Sequence, residues 1–283
     1  MRGRDSALKF VDAHIHLSDS EYKDRIGEIV AIAKKTGVVA MVTNSTDLET
    51  SKLSLKLAGK HQGFVYAAVG IHPWNANQLA LSELQKTLDF ISGNGSFREK
   101  IVAVGEIGLD PKYAKRKEQK EQQLKVFNEM VRLAEQLAMP VIVHSRWSAQ
   151  KILDILPSYR LKGVLWHWFS GPLELLIKIV ERGDYVSEGP PVAYSDNIQE
   201  VVRYVPLERL LTETDGPVRY YGPFKDKPTT PALISQTVKA ISQVKKSDES
   251  HVTEQILSNF AHFFGIQFRD SPAPPNADLH TPC

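Results

Sequence analysis

Eight short apolar runs, separated by stretches with helical spacing, set the strongest limit on what this chain can fold into. The first run is Phe10-Val-Asp-Ala-His-Ile-His16; after it, residues 20–36 carry Ile26, Ile29, Val30 and Ala33 at helical intervals, with Gly37 as the stop. Val38-Val-Ala-Met-Val-Thr-Asn44 follows, and Asp47 is placed to cap a helix through Leu53, Leu57 and Ala58 that breaks at His61-Gln-Gly63. The third run, Phe64-Val-Tyr-Ala-Ala-Val-Gly70, is closed by Ile71-His-Pro-Trp74. A helix through Leu81, Leu84, Leu88 and Ile91 and a Gly-Asn-Gly break at 93–95 lead into Ile101-Val-Ala-Val-Gly-Glu-Ile107. The longest helix is expected over 117–137, and Pro140 then opens Val141-Ile-Val-His-Ser145. The last three runs are Gly163-Val-Leu-Trp-His-Trp-Phe169, Asp184-Tyr-Val-Ser-Glu-Gly189 and Arg209-Leu-Leu-Thr-Glu-Thr-Asp215, with helices near 231–245 and 251–264 behind them.

Strands of a parallel sheet covered by helices read as near-continuous apolar runs. Eight such units in a row predict an α/β fold, a single-domain (β/α)8 TIM barrel. A doubly wound sheet is the alternative, but it rarely needs eight such regular units. At 283 residues and 42% hydrophobic content the chain can bury the core this requires. We expect the barrel over 10–266, an N-terminal extension over 1–9, and a flexible tail over 267–283, where Pro and polar residues replace the apolar pattern.

In a barrel enzyme the site lies at the C-terminal ends of the strands, and potential metal ligands recur there. They are His14 and His16 on the first run, Glu106 on the fourth, His144 on the fifth, His167 on the sixth and Asp215 on the eighth. Residues i and i+2 of a strand share a face, so His14 and His16 leave one segment side by side. Taken singly, each of the six is an ordinary polar strand end; together at one level of one barrel they suggest a metal centre. Barrel closure sets Asp215 beside His14 and His16, opposite Glu106, His144 and His167. Glu106, with two carboxylate oxygens, is then the natural bridge between two ions about 3.5–4 Å apart, as in two-metal hydrolysis. One ion would take His14, His16, Glu106 and Asp215, the other Glu106, His144 and His167. Four imidazoles suit Zn²⁺, Mn²⁺, Fe²⁺ or Ni²⁺ better than Mg²⁺, which prefers oxygen.

At this point the chain resembles the TatD family of metal-dependent deoxyribonucleases, within the amidohydrolase superfamily. The stretches that carry the likeness are Val11-Asp-Ala-His-Ile-His16, Val69-Gly-Ile-His-Pro73, Gly105-Glu-Ile-Gly-Leu-Asp110, Pro140-Val-Ile-Val-His-Ser-Arg146, His167-Trp-Phe-Ser-Gly171 and Thr212-Glu-Thr-Asp-Gly-Pro217. The resemblance implies metal-ligand roles for the same six residues, and cleavage of DNA phosphodiesters, often from the 3′ end. It also implies Mg²⁺ or Mn²⁺ in use, so two divalent ions are expected with their identity open among Mg²⁺, Mn²⁺ and Zn²⁺. Two departures bear on substrate: Trp168 stands where the family motif usually has Cys, and the seventh run ends Ser187-Glu-Gly-Pro-Pro191, closer to archaeal members. Glu188 would repel a phosphate if it faced the mouth.

Secondary roles follow from position. Glu106 and Asp215 are also candidate catalytic groups, Asp215 by orienting water. His72 is a candidate acid, base or substrate contact, or a structural His before Pro. Arg146 can hold a phosphate with its guanidinium fork or form a helix-start ion pair. Glu213 supports a ligand, binds a third ion or forms an interior salt bridge. Lys112, Lys115, Arg116, Lys117 and Lys120 form either a DNA-facing patch or a solvated helix face; Trp74, Tyr113, Tyr220 and Tyr221 lie on loops where bases can stack, and of these Tyr113 is the candidate substrate contact.

The net charge of +2 does not announce a nucleic-acid partner through bulk electrostatics, and the only cysteine, Cys283, excludes an intramolecular disulfide or thiolate cluster. No apolar run approaches the ~20 residues of a membrane span. A cytoplasmic enzyme with DNA as substrate, no membrane attachment and no obligate protein partner is therefore expected. The competing readings are hydrolysis of a carbon ester, lactone or amide on the same scaffold, and a silent metal-binding barrel serving as an interaction protein. Relatives of the first kind commonly bridge their ions with a carboxylated lysine on the fourth strand, where this chain has Glu106.

Overall fold

The apolar runs form eight strands: β1 (Phe10–Ile15), β2 (Val38–Asn44), β3 (Val65–Val69), β4 (Ile101–Gly108), β5 (Val141–His144), β6 (Val164–His167), β7 (Tyr185–Glu188) and β8 (Leu210–Thr212). Each pairs in parallel with the next, in the order β1 to β8. The computed structural model describes residues 8–93 and 99–268, so the expected extension over 1–9 lies mostly outside the described residues, as do positions 94 and 95 of the Gly-Asn-Gly break and nearly all of the tail.

Helices α1 (Ile26–Lys35), α2 (Leu48–Lys60), the short α3 (Pro73–Ala76), α4 (Leu81–Gly93), α5 (Lys117–Gln136), α6 (Ala149–Ile155), α7 (Leu173–Glu181), α8 (Asp196–Tyr204), α9 (Ile234–Lys245) and α10 (Glu249–Phe264) cover the strands. Their starts and stops follow local chemistry. Asp47 caps α2 by accepting from the Thr50 N–H at 2.8 Å, and Gly265, in the left-handed region at φ +66°, ends α10. The apolar stripe of α5, with Val126, Phe127, Met130 and Ala134, is buried on the barrel wall. Strand residues Val104, Val143, Leu165 and Val186 are fully buried, the (β/α)8 TIM barrel arrangement that the alternation predicts.

Several elements are shorter than their sequence pattern. The expected helix over 20–36 splits into a 3-10 turn at Ser20–Tyr22 and α1, because Tyr22 turns inward to donate its hydroxyl to the Thr229 carbonyl at 2.6 Å. Strands β6 and β8 stop early because the backbone then turns left-handed, at φ +40° for Trp168 and φ +46° for Asp215. Gly108, at φ +155°, lets β4 press against β5; a Cβ there would meet the His144 carbonyl oxygen at 2.0 Å.

The seam between β8 and β1 is tied largely by one side chain. Asp12, fully buried, accepts from the Thr214 N–H at 3.0 Å, the Thr214 hydroxyl at 2.5 Å and the His14 N–H at 3.2 Å. Beside it the Asp215 N–H donates to the His14 carbonyl and the His16 N–H to the Gly216 carbonyl, both at 2.8 Å. These bonds set the strand-end ligands of β1 and β8 at one height. Asp12→Ala would leave the Thr214 N–H buried without its acceptor, and a lost partner of this kind costs about 1–3 kcal/mol. We therefore expect a lower urea midpoint with an unchanged slope for the metal-free variant; an unchanged midpoint would show that the seam does not depend on Asp12.

Candidate metal centre

The barrel mouth gathers the predicted residues around one carboxylate. The Glu106 N–H donates to the Ser45 carbonyl at 3.1 Å, which fixes the backbone at the end of β4 and aims the side chain across the mouth. Its two oxygens then face different partners. Oε2 lies 3.2 Å from His14 Nε2 and 3.3 Å from His16 Nε2, and the same two nitrogens lie 3.5 and 3.3 Å from Asp215 Oδ1. Oε1 lies 2.9 Å from His144 Nδ1, 3.3 Å from His72 Nε2 and 3.6 Å from His167 Nε2. All of these side chains are buried, with Glu106 only 1% exposed.

The outer nitrogen of three imidazoles is held by a hydrogen-bond acceptor. His16 Nδ1 sits 3.0 Å from the Asn44 carbonyl, His144 Nε2 lies 2.8 Å from Asp110 Oδ2, and His167 Nδ1 lies 2.9 Å from Glu213 Oε1. An acceptor at the outer nitrogen claims the ring proton there and leaves the inner nitrogen's lone pair facing Glu106. Inner lone pairs therefore converge on carboxylate oxygens, and His14 Nε2 and His16 Nε2 stand 3.2 Å apart. Such a cluster of acceptors is stable only when protons or cations fill it. The donor set, imidazole nitrogen plus carboxylate oxygen, fits divalent transition ions.

His72 differs from the other imidazoles. Its Nδ1 accepts from the Trp74 N–H at 3.1 Å, capping α3, so in the neutral ring the proton is on Nε2, pointing at Glu106. Burial lowers its pKa to about 4, and the ring is neutral near pH 7.

The charges follow the same geometry. Burial alone would raise the Glu106 pKa, but His72, His167 and His14 together hold it well below the usual carboxylate range. Burial lowers His14 to about 3. For His167 burial is outweighed by Glu213, Asp215 and Glu106, which lift it to about 9; His16 and His144 are likewise raised, against burial, by their carboxylate partners.

Residues the sequence did not single out hold the ligands in place. Asp110 orients His144 and lies 3.7 Å from Arg146 Nε. Gln123, on α5, is 2% exposed, accepts from the Asp110 N–H at 3.1 Å and donates to the Pro73 carbonyl at 2.8 Å, joining the Asp110 and His72 loops. Ser187 donates to Glu213 Oε2 at 2.5 Å, and with the His167 contact this makes Glu213 a support for His167. Asp110 and Ser187 lay in stretches already visible, Gly105 to Asp110 and Ser187 to Pro191, whereas Gln123 stands on α5 outside them; only distances reveal the pairing. Glu213, His14 and His167 also have ligand atoms within 4.8 Å of one another.

Above the cluster lies a cavity of about 1290 Å³ reached by Arg146, Trp74, Trp168 and the exposed Trp147. Other expected contacts stand elsewhere. Tyr113 is half-buried behind Trp74, at 5.9 Å between ring centroids, and does not line the cavity. Tyr220 is 4% exposed inside a small apolar cluster, Tyr221 is exposed outside the cavity, and none of Lys112, Lys115, Arg116, Lys117 and Lys120 lines it. Glu188 is fully buried away from the mouth, and burial and then Glu213 raise its pKa well above normal, so it presents no charge to a substrate.

A barrel with a buried imidazole and carboxylate cluster at its C-terminal mouth defines a metal-dependent hydrolase. The family model described as TatD related DNase matches residues 11–265, and the chain belongs to that family. Deoxyribonuclease TATDN3 of Homo sapiens is 30% identical over 92% of this chain and 96% of its own length. An uncharacterized metal-dependent hydrolase of Methanocaldococcus jannaschii is 31% identical over 91% of this chain and 97% of its own. The crystal structure of YjjV, a TatD homolog from Escherichia coli, superposes with a TM-score of 0.84 at 26% identity, covering 93% of this chain and all of that one.

The proton inventory gives a sign. His167, lifted to about 9, holds near pH 7 a proton that a metal must displace, and the raised pKa values of His16 and His144 act in the same direction. Apparent affinity should rise with pH up to about 9, the His167 value, and fall toward acid. Calorimetric titration of the metal-free protein with Mn²⁺ at pH 7, in two buffers of different ionisation enthalpy, should show net proton release; none would mean that these imidazoles are not displaced.

Proposed function

We propose that the protein is a two-metal deoxyribonuclease that trims single-stranded DNA from an end, with 3′ to 5′ polarity. The observation that supports it most is the division of Glu106, one oxygen toward His14, His16 and Asp215, the other toward His144 and His167. On this reading those six residues hold two ions, drawn from Mg²⁺, Mn²⁺ and Zn²⁺. Divalent ions held there would lower the pKa of water from 15.7 toward about 7 and offset charge on a phosphodiester.

The chain's own residues do the rest. His72, with its Nε2 proton aimed into the site, donates to a phosphate oxygen or to the departing alkoxide. Asp215, in the coordinating group, accepts a hydrogen bond from the attacking water and directs it. Arg146, at the rim, draws in the phosphate; Asp110 and Glu213 keep His144 and His167 turned inward. The DNA assignment takes support from the relative named as a deoxyribonuclease, and the polarity only from what the resemblance of the motifs implies. The same reading treats 10–266 as the functional unit and places it in the cytoplasm with DNA as its partner; among the described residues no helix is long and apolar enough to cross a membrane.

A recessed mouth in a closed barrel admits a strand end more readily than a rigid continuous backbone, and stacking on the exposed Trp74 and Trp147 asks for no base sequence. With Mn²⁺ present, linear single-stranded DNA should be degraded while a covalently closed single-stranded circle of the same sequence survives. Equal loss of the two, followed on a denaturing gel, would rule out attack from an end; release of 5′-labelled mononucleotide first would reverse the polarity.

A further inference from the structure

One side of the cavity is not polar. Trp168, Leu175, Pro191, Tyr194 and Ile198, from the loops after β6 and β7 and from α7 and α8, form an apolar wall that starts one residue beyond His167. Trp168 and Tyr194 are half-buried and rest on an apolar cluster made of Tyr220, Phe224 and Leu233, and Trp168 also packs against the barrel core. Ring centroids are 5.6 Å apart for Trp168 and Tyr220, and 6.3 Å for Tyr194 and Phe224. Tyr220 is pinned in turn, donating its hydroxyl to the Thr214 carbonyl at 2.6 Å.

The wall is held, not incidental. Trp168 sits at φ +40°, a region costly for a bulky residue, while its N–H donates to the Ser187 carbonyl at 3.0 Å. A tryptophan serving only the core would look like Trp166, fully buried with its indole N–H on Asp184 Oδ2 at 3.0 Å. Trp168 instead keeps surface on the cavity, beside the ions' proposed ligands.

Resting on the deoxyribonuclease reading, we infer that Trp168 and Tyr194 form a nucleobase subsite, which takes the base of the nucleotide bearing the scissile phosphate. A flat aromatic ring attached by one sugar to a phosphate on the Glu106 cluster is within reach of this wall, which begins at the residue after His167. Every base has a π face, so the subsite recognises that a base is present, not which one. It positions the phosphate by anchoring the nucleoside.

The test uses Mn²⁺-loaded full-length enzyme and two linear single strands, identical except that the terminal nucleotides of one carry a tetrahydrofuran in place of the base. Wild type should cleave the base-bearing strand with a kcat/KM about ten- to a hundredfold higher, the range that stacking of one base supplies. Trp168→Ala should collapse that ratio toward one, mainly through KM, and Trp168→Phe, which keeps a ring, should restore most of it. Metal content of each variant, read by mass spectrometry, checks that His167 is undisturbed. If Trp168→Ala does not fold, Tyr194→Leu must narrow the ratio for the subsite to stand. Wild type cutting both strands equally would overturn the subsite alone; so would a Trp168→Ala enzyme, fully metallated, that is slowed equally on both. Wild type cutting neither strand would overturn the deoxyribonuclease reading with it.

Discussion

A single buried carboxylate facing five imidazoles governs this molecule. Glu106 lies out of water, where an isolated charge is expensive, yet His72, His167 and His14 keep its pKa well below normal. Four of the five are in turn fixed from behind, His16 by Asn44, His144 by Asp110, His167 by Glu213 and His72 by the Trp74 N–H, while His14 is held by stacking on His167 at 3.8 Å between ring centroids. The cluster is therefore rigid before any ligand arrives, the condition for electrostatic preorganisation. The barrel supplies that rigidity: Asp12 at the β8–β1 seam and Gly108 at the β4–β5 contact set strand ends whose side chains must meet within a few ångströms.

The same economy shows in how the helical layer serves the mouth. Gln123 reaches from α5 to both the Asp110 loop and Pro73, so one buried amide positions two walls of the site. On the opposite side the Tyr220, Phe224 and Leu233 cluster supports Trp168 and Tyr194. The two halves meet at Trp168, which packs on both this cluster and the barrel core, and at Thr214, whose carbonyl accepts from Tyr220 one residue before Asp215.

Much of this was legible in the sequence because period and position carry it. The eight apolar runs give the barrel, and His14, His16, Glu106, His144, His167 and Asp215 converge because all stand at strand ends. What escaped depends on the third dimension. Asp110 looks like a loop residue until His144 is seen 2.8 Å away, and Trp147 stands out only once it is seen to be 79% exposed at the rim. Tyr113 and Tyr220 were expected on the substrate side because they are aromatic loop residues, yet one packs behind Trp74 and the other lies in a cluster. Glu188 follows strand parity: Ser187 points to Glu213, so its neighbour points away.

The bridging role of Glu106 is the centre of the account, and anomalous diffraction from manganese-soaked crystals tests it directly. Wild type should show two peaks, one by His14, His16 and Asp215 and one by His144 and His167, with Glu106 between them. Glu106→Gln keeps the shape, but its neutral amide, an acceptor only through oxygen, binds ions poorly, so both peaks should weaken together. A single full-strength peak beside His14, His16 and Asp215 in the variant would contradict the bridge and require a mechanism built on one ion.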